Sequence, residues 1–585
     1  MAKETRGKIY GVAGPTVVAS GMAGATMNTV CHVGKDGLLS EIIRIKHDLA
    51  TLQVYEDTGG LSVGEEVVSY AKALSVKLGP GLLTNIFDGI QRPLQEMKEE
   101  GVDWIGRGLK VQPLDMDRLW DFTPVKKKGD HVAAGDVVGT VPETARIEHR
   151  VMVPPGIKGV IKELRSGKIS GRDIVCVFED GTEFGLYREW PVRKPRPYAR
   201  KLAPATPFIT GQRVFDTLLP VATGGTAIVP GGFGTGKTVV EQTIAKFALC
   251  DIVIYVGCGE RGNEMSEILT DFPKLMDPST GLPLSLRTVI IVNTSNMPVA
   301  AREASIFTGV TIAEYYRDMG YNVALLADSI SRWAEALREI SSRLEEMPGE
   351  EGFPPYLSTQ LGSFYERSGR VKCQGSGGRI GSVTIISAVS PPGGDFSEPV
   401  TQASLRYAGA LWALDPDLAY RRHFPAVNWL ASFSLYQAEL ADWFSTEVAP
   451  DMGHLRTRLF TLLQRQTELK EVVQIIGVEA LQESDRLTLE VANLARETFL
   501  KQSIFNPADA FNSYEKQYWM LKVIFAFMDS AEAALKRGVY IDTVMSTPLK
   551  ASVIKVQDIH SEGFAVHARE LVLRIEAEFS AIEEK

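Results

Sequence analysis

The sequence predicts a multidomain α/β protein with a small N-terminal β-barrel, a β-rich insert, a parallel-sheet domain and a C-terminal helical domain. Three observations support this prediction. Short β-rich runs punctuated by glycine fill the first part of the chain, apolar β-branched runs alternate with helical stretches in the middle, and helical periodicity dominates the end. A chain of 585 residues is also too long for one hydrophobic core, so several domains are expected.

The N-terminal part is predicted to be β-structure in two separate blocks. Residues 1–72 contain short strand-like runs, such as 41–45 and 52–55, separated by glycine turns, which predicts a small barrel. Residues 73–109 are predicted to begin the parallel-sheet domain. Residues 110–190 then form a second block of short strands and frequent glycine turns, which predicts a compact β-sandwich inserted into that domain.

The middle of the chain, residues 191–435, is predicted to be a parallel-sheet domain. Its apolar β-branched runs are separated by stretches with helical periodicity, and this alternation is typical of a sheet that is buried on both faces. The runs that predict the strands are 226–229, 252–256, 288–292, 322–327 and 383–386.

Residues 436–585 are predicted to form a helical domain. Ser484 is a candidate N-cap for a helix whose buried face carries apolar residues at helical spacing, and Gly538 is a candidate stop for a helix over residues 514–537. The predicted buried face consists of Leu487, Val491, Leu494 and Ala495.

A glycine-rich motif at a strand-to-helix junction predicts nucleoside triphosphate binding. The segment after the strand 226–229 has the full G-x-x-x-x-G-K-[ST] spacing, and a helix-compatible run follows it. Glycines let backbone N–H groups curl round an anion, and the following helix adds the positive end of its dipole. The nucleotide-binding residues predicted here are Gly231, Gly232, Phe233, Gly234, Thr235, Gly236, Lys237, Thr238 and Val239.

Two carboxylates near strand ends are candidates for the chemistry. Asp328 follows the strand 322–327, where nucleotidases of this kind place the carboxylate that holds the water shell of Mg²⁺. Glu260 lies beyond the strand 252–256, and ligands of parallel sheets collect at the carboxyl ends of strands. A carboxylate there can polarise a water in line with the terminal phosphate. The alternative for Glu260 is a loop salt bridge with Arg261.

The composition narrows the possible classes of protein. The net charge is −9, and no dense Lys/Arg stripe interleaved with aromatic residues is present, which argues against nucleic-acid binding. Apolar runs stay well short of the roughly 18 to 20 residues of a membrane span. The five cysteines are scattered without C-x-x-C spacing, so reduced structural thiols are expected rather than a disulfide framework or a zinc site.

Four longer motifs resemble the catalytic A subunit (alpha chain) of archaeal and bacterial V-type/A-type rotary ATP synthases. They are residues 257–265, 295–304, 331–339 and 390–395, and the resemblance extends over essentially the whole chain. The insert at 110–190 favours the A subunit, because the related F-type beta subunits and flagellar export ATPases lack it. The resemblance implies that the parallel-sheet domain is a RecA-like nucleotide-binding domain, that ATP and ADP are substrate and product, and that Mg²⁺ is the cofactor.

The resemblance also implies a role for individual residues. Lys237 matches the residue that neutralises the β and γ phosphates, and Thr238 matches the hydroxyl ligand of Mg²⁺, whose waters Asp328 holds. Glu260 matches the catalytic carboxylate, and Arg261 matches its neighbour in the γ-phosphate site. Arg332 is expected to play a supporting structural part. The residues that match the adenine pocket are Phe424, Gln502 and Phe505.

Some positions depart from the family pattern. Gly232 stands where Pro or Ala is usual, Ile330 stands where Thr is commoner, and Thr235 stands where some relatives have Cys. None of these differences removes a catalytic group, although Gly232 leaves the loop less restricted in conformation.

The expected partners follow from the resemblance. They are a B subunit in an alternating A3B3 hexamer, the subunits of the central and peripheral stalks, and a membrane sector that translocates protons or sodium ions, with this chain peripheral on the cytoplasmic face of the membrane. Two alternatives remain open at this point: a ring-shaped nucleic-acid translocase with the same ATPase core, and a non-catalytic nucleotide-binding subunit. Lys237 and Glu260 argue against the second, since a regulatory site needs neither.

Overall fold

The computed structural model describes residues 4–99, 108, 111–262, 270, 274–278 and 280–582, with only the backbone described at residues 98, 99 and 260. The chain divides into two compact units, and its elements are numbered along the chain. The first unit comprises Met1–Ala203, Gly224–Thr226 and Cys250–Tyr407. The second comprises Pro204–Thr223, Ala227–Leu249 and Ala408–Lys585.

A closed six-stranded antiparallel barrel opens the first unit, as the sequence predicts. Its strand order is β1-β2-β5-β4-β3-β6, and alternate residues along the strands point inward to an apolar core that includes Val17, Ile42 and Leu52. The strands are β1 (Thr5–Ala13), β2 (Thr16–Ser20), β3 (Val30–Val33), β4 (Leu38–Lys46), β5 (Leu49–Val54) and β6 (Glu66–Ser69).

The insert is the predicted β-sandwich. Two four-stranded sheets, β10-β13-β15-β16 and β12-β11-β9-β14, share one core in which Trp120, Phe122 and Phe178 are buried. The strands are β9 (Trp120–Pro124), β10 (His131–Val132), β11 (Val137–Pro142), β12 (Glu148–Met152), β13 (Gly159–Leu164), β14 (Gly167–Ile169), β15 (Ile174–Phe178) and β16 (Glu183–Gly185).

A parallel sheet forms the centre of the first unit, with strand order β8-β21-β20-β22-β24. Its strands are almost continuously apolar and buried, as is typical of a parallel sheet that is covered on both faces, which confirms the predicted fold class. These strands are β8 (Ile86–Phe87), β20 (Ile252–Glu260), β21 (Thr288–Thr294), β22 (Asn322–Asp328) and β24 (Ile380–Val389). The flanking strands are β7 (Ser75–Leu78), β17 (Arg188–Pro191), β18 (Arg200–Leu202) and β23 (Gly369–Lys372).

The helices of the first unit follow these strands. The longest of them, Val299–Asp318, is almost entirely buried. A buried network of hydrogen bonds connects this helix to the insert. In that network His149 lies between Glu143, at 3.0 Å, and the hydroxyl of Tyr315, at 2.9 Å, and the hydroxyl of Tyr316 donates to Glu143. The helices are α1 (Leu94–Glu99), α3 (Val299–Asp318), α4 (Ile330–Arg343), α5 (Leu357–Tyr365) and α6 (Pro399–Leu405).

The second unit combines a short sheet with the predicted helical domain. Strand β19 (Thr226–Pro230) pairs in parallel with β25 (Ala410–Leu411), which pairs antiparallel with β26 (Phe433–Ser434). The helices are α2 (Lys237–Phe247), α7 (Pro416–Tyr420), α8 (Ala441–Trp443), α9 (Met452–Ile476), α10 (Glu483–Ala495), α11 (Tyr514–Lys536), α12 (Ile541–Met545), α13 (Pro548–Lys555) and α14 (Phe564–Ala581).

Two helix boundaries test the sequence prediction in the second unit. The predicted N-cap at Ser484 is wrong, because α10 begins at Glu483 with Gln482 as the cap, and Ser484 lies inside the first turn. The acidic side chains of that turn favour the early start, since carboxylates interact with the positive end of the helix dipole. Gly538 does end α11, with a left-handed φ of 92° that glycine adopts without strain.

In the parts of the chain that the structure describes, no helix combines the length and the apolar character that crossing a membrane requires.

Candidate active site

The predicted phosphate loop joins strand β19 to helix α2 in the second unit. Strand β19 ends at Pro230 and α2 begins at Lys237, with Gly236 as its N-cap. Gly234 and Gly236 have φ values of 76° and 92°, which side-chain-bearing residues rarely adopt. Helix α2 presents the positive end of its dipole to the loop, so this end of α2 suits an anion.

The loop is braced by its own polar side chains. The Lys237 ammonium donates to the carbonyl oxygens of Gly231 and Gly232, each at 2.8 Å, and the Thr235 hydroxyl donates to Gly232 at 2.9 Å. Only glycine fits at Gly231, because a Cβ there would lie 2.5 Å from the Thr235 hydroxyl oxygen and 2.8 Å from Cβ of Leu414. These hydrogen bonds therefore hold the loop in its folded conformation and keep the Lys237 ammonium against it.

Position 232 is different. A Cβ built on Gly232 meets no atom within 4 Å, and its φ lies outside the left-handed region. An alanine at this position would therefore fit without a clash. The departure from the family pattern changes the freedom of the loop rather than its packing.

An apolar pocket of about 330 Å³ lies beside the phosphate loop, within the second unit. Three residues predicted for the adenine pocket, Phe424, Gln502 and Phe505, line it together with Val239 of α2. The other lining residues are Gln212, Phe215, Gly236, Val240, Thr243, Arg422, Pro425, Lys501, Ser503 and Ile504.

Two aromatic residues of this pocket, Phe424 and Phe505, are exposed, whereas Phe215 is buried. Phe424 is 41% exposed and Phe505 is 90% exposed, whereas aromatic side chains of this size are usually buried. A Cβ built on Gly236 would lie 3.6 Å from the Phe424 ring, so the ring stands directly beside the end of the phosphate loop. Phe233, predicted to bind nucleotide, is also 86% exposed on the loop itself.

The side-chain amide of Gln502 is bonded to other groups of the protein, which the sequence does not reveal. Its side chain is 3% exposed and is engaged with protein atoms: Oε1 accepts from the Arg213 backbone N–H, and Nε2 donates to the Gly211 and Asp509 carbonyls, each at 2.8 Å. Its backbone N–H donates to the Phe424 carbonyl at 2.8 Å. Gln502 therefore shapes the wall and orients the segment that carries Phe424.

The carboxylate candidates lie on neighbouring parallel strands of the first unit. Glu260 is the last residue of β20 and Asp328 is the last residue of β22, and the two strands pair with Gly257 opposite Asp328. Both residues therefore end their strands at the same edge of the sheet, where ligands of parallel sheets collect. Asp328 is 2% exposed, and the side chain of Glu260 lies outside the described part of the chain.

Glycine and arginine shape the turn beside Glu260. Gly259 has a φ of 77°, and a Cβ there would lie 2.7 Å from the Arg332 side chain and 3.2 Å from that of Arg302, so only glycine fits. Arg302 donates to the Ser295 carbonyl at 2.9 Å, and Arg332 pairs with Glu335 at 3.3 Å on the surface. Arg261 is exposed.

The oxygen groups proposed for a metal fit Mg²⁺ by their chemistry. This ion keeps several waters and takes only one or two protein oxygens in addition to phosphate oxygens. Thr238 offers a hydroxyl in the first turn of α2, and Asp328 offers a buried carboxylate at a strand end. No group of three or more His, Cys, Asp or Glu side chains able to hold a metal occurs among the described residues.

Models of four protein families match this chain. They are the nucleotide-binding domain of the ATP synthase alpha/beta family over residues 211–434, and the beta-barrel domain of that family over residues 9–70. The barrel-sandwich domain of ATP synthase alpha/beta subunits matches residues 111–193. The C-terminal domain of V and A type ATP synthases matches residues 441–545.

Several relatives are similar over nearly their whole length. The A subunit of the A-type ATP synthase of Methanopyrus kandleri is 54% identical over 100% of both chains. The corresponding A subunit of Methanosarcina mazei is 52% identical over 99% of both, and the V-type ATP synthase alpha chain of Clostridium botulinum is 53% identical over 95% of both.

The fold is also similar to a solved structure of lower identity. The assembled ATPase EscN of the type III secretion system of enteropathogenic E. coli aligns with a TM-score of 0.64 at 23% identity, over 88% of this chain and 99% of that one. At this identity the likeness concerns the fold.

Proposed function

Because this chain belongs to the family of catalytic A subunits of A-type and V-type ATP synthases, we propose a specific part in ATP turnover for each predicted site residue. The family couples ATP synthesis or hydrolysis to ion transport by rotation, and this membership decides against the nucleic-acid translocase and the non-catalytic subunit. The residues at issue are Gly231, Gly232, Phe233, Gly234, Thr235, Gly236, Lys237, Thr238, Val239, Glu260, Arg261, Asp328, Phe424, Gln502 and Phe505.

One observation carries the proposal: the phosphate loop and an apolar, aromatic-lined pocket adjoin each other within one unit. The loop offers backbone N–H groups and the Lys237 ammonium to anionic phosphates, whereas the pocket beside it offers Phe424 to a flat base. A nucleotide has this same division into a charged end and an aromatic end.

The chemistry is proposed to depend on charged groups around the terminal phosphate. Lys237 stabilises the negative charge of the transferring phosphoryl group, and Glu260 orients and polarises the attacking water. Arg261 helps to arrange the γ-phosphate. Thr238 and Asp328 would hold Mg²⁺, Asp328 through water, and the bound ion neutralises charge on the phosphate oxygens.

The proposed setting of this chemistry is a larger assembly. We propose that the chain alternates with B subunits in an A3B3 hexamer, contacts central-stalk and peripheral-stalk subunits, and drives or is driven by a membrane sector that translocates protons or sodium ions. The chain would then be peripheral on the cytoplasmic face of the membrane. The domain boundaries at residues 72, 109, 190 and 435 also remain predictions.

Replacing Glu260 with glutamine tests the catalytic carboxylate. Glutamine keeps the shape of the side chain but loses the negative charge that polarises water, so turnover by the assembled enzyme should fall at least about a hundredfold. MgATP binding, measured by calorimetry or a fluorescent analogue, should remain. Asp251→Asn, directly before the first residue of the same strand, is the matched control and should keep normal turnover, because asparagine can still accept from the Asn322 N–H. Equal loss of binding and turnover in Glu260→Gln would indicate a structural salt bridge with Arg261 instead.

Replacing Phe424 with alanine tests the base pocket. Loss of stacking and of buried apolar area should weaken ATP and ADP binding by about 1 to 3 kcal/mol, while turnover at saturating ATP changes much less. Tyr420→Ala removes an aromatic ring that is 84% exposed on α7, outside the pocket, and should leave affinity unchanged. A Phe424→Ala variant with normal affinity and a lower melting temperature would show that Phe424 is ordinary packing.

A further inference from the structure

Arg213 is a buried arginine beside the base pocket, and its hydrogen bonds go to the pocket's own wall. It is 0% exposed and does not line the pocket, although its neighbour Gln212 does. Its Nε donates to the Phe499 carbonyl at 2.7 Å, its Nη2 donates to the Lys501 carbonyl at 2.6 Å, and its Nη1 donates to the Asp509 carboxylate. The guanidinium of Arg213 therefore binds one acceptor before the loop 501–505, one at its first residue and one after it.

The partners of Arg213 extend the same bracing. The second carboxylate oxygen of Asp509 accepts from the Ser503 backbone N–H at 2.7 Å. The backbone N–H of Arg213 donates to Oε1 of Gln502 at 2.8 Å, and the backbone N–H of Gln502 donates to the Phe424 carbonyl. The loop and the segment carrying Phe424, which form two walls of the pocket, are thus tied to one buried ion pair.

A buried ion pair at this place requires an explanation. Desolvation of two charges offsets most of their attraction, so such a pair adds little to stability compared with an apolar packing of similar volume. Arginine differs from an apolar residue, and also from lysine, in presenting a rigid fork of donors to several acceptors at once. The advantage of Arg213 is therefore geometric: it sets the positions of backbone groups in the loop.

The polar groups of the pocket make that geometry important for recognition of a base. The side-chain amide of Gln502 is engaged with protein atoms on both its oxygen and its nitrogen. Lys501, Ser503, Ile504 and Phe505 of the same loop also line the pocket, so the groups that this loop can offer to the edge of a base are groups other than this amide. Adenine carries an amino donor where guanine carries an oxygen acceptor, so fixed backbone groups discriminate between the two only while they are held in place.

We propose that Arg213, acting through Asp509 and Gln502, is a positioning residue that holds the loop 501–505 in the conformation that selects adenine. This inference rests on the proposed function, because it takes the pocket to be the base site. Arg213 itself contacts no part of the nucleotide, and its effect passes entirely through the loop backbone and Phe424.

Asp509→Asn tests this positioning in the full-length chain assembled with its B subunit. Asparagine keeps the shape but removes the charge that pairs with Arg213 and one of the two acceptor oxygens. The KM for ATP should rise about tenfold, while kcat at saturating ATP stays within about threefold. The preference for ATP over GTP in kcat/KM should fall at least about fivefold, because the fixed backbone groups are lost. A merely structural role would change ATP and GTP by the same factor.

Arg213→Lys is the second variant, so that the result does not depend on the folding of one protein. Lysine keeps the charge but cannot serve the three acceptors in their plane, and the same loss of ATP preference is expected. The double variant should be little worse than either single one, since both act through the same contact. Unchanged ATP preference in both single variants would overturn the inference.

Two controls separate the possible failures. Gln466→Leu removes a buried hydrogen bond to Asn493 between α9 and α10, and it should lower the melting temperature without changing the ATP preference. Phe424→Ala is measured in parallel. If it weakens nucleotide binding while Asp509→Asn and Arg213→Lys do not alter selectivity, the positioning inference fails and the base site stands. If Phe424→Ala has no effect on affinity, the proposed function itself is contradicted.

Discussion

Replacing Lys237 with alanine is expected to reduce MgATP hydrolysis by the assembled enzyme about a thousandfold. The Lys237 ammonium lies against the phosphate loop, 2.8 Å from two of its carbonyl oxygens. We expect the γ-phosphate, whose charge changes most during the reaction, to bind beside it. A positive charge held in place beside the transferring group stabilises the transition state without reorganisation. A thousandfold loss corresponds to about 4 kcal/mol of activation free energy.

The measurement is steady-state hydrolysis, together with nucleotide affinity and the melting temperature of the variant. Lys246→Ala is the matched control, because Lys246 is the same residue type in the last turn of the same helix α2. It should retain turnover within about twofold, since Lys246 lies about two and a half turns from the phosphate loop, at the other end of the helix. Near-normal hydrolysis by Lys237→Ala would remove the phosphate loop from the mechanism.

The isolated chain is expected to hydrolyse MgATP about 10³ to 10⁵ times more slowly than the assembly with its B subunit. Phosphoryl transfer of this kind gains that factor from an arginine placed against the γ-phosphate, and we expect the proposed B subunit to supply this arginine, as the resemblance to the family implies. Two arginines of this chain near the turn at Gly259, Arg302 and Arg332, are poorly suited to replace it. Arg302 is buried and bonded to Ser295, and Arg332 is paired with Glu335.

The comparison needs hydrolysis rates of the reconstituted mixture, of the chain alone and of the isolated B subunit, with MgADP affinity measured for the chain in isolation. Because the phosphate loop and the base pocket lie in the same unit of this chain, binding should survive without the partner. Full activity of the isolated chain would contradict the trans-arginine mechanism. Arg261→Ala would then show whether the exposed Arg261 supplies the charge in cis.

Local sequence patterns were sufficient for most of the fold. Each type of element has its own spacing of apolar residues along the chain. The barrel, the sandwich, the parallel sheet and the helical domain are therefore all predictable from local sequence. The boundary at Ser484 was not. Helix start signals compete within one turn, and Glu483 with Gln482 prevailed over the serine.

The phosphate loop and the strand-end carboxylates are properties of the sequence itself. The spacing from Gly231 to Thr238 encodes the loop because its conformation depends on glycine φ values and on bonds between residues a few positions apart. Asp328 and Glu260 were identifiable because a strand's end is visible in the local pattern, and parallel strands present their carboxyl ends at one edge.

The base pocket depends on long-range packing. Arg213 and Asp509 are 296 positions apart, and Gln502 and Arg213 are 289 apart, so no local pattern links them. Nothing in the neighbourhood of Gln502 indicates that its amide is bonded to protein atoms, because those bonds depend on carbonyl groups supplied by the loop at Gly211 and by Asp509. Local sequence is enough to locate the phosphate site, since that site is made of consecutive backbone groups, whereas the pocket for the base is built from distant segments that meet only when the chain packs.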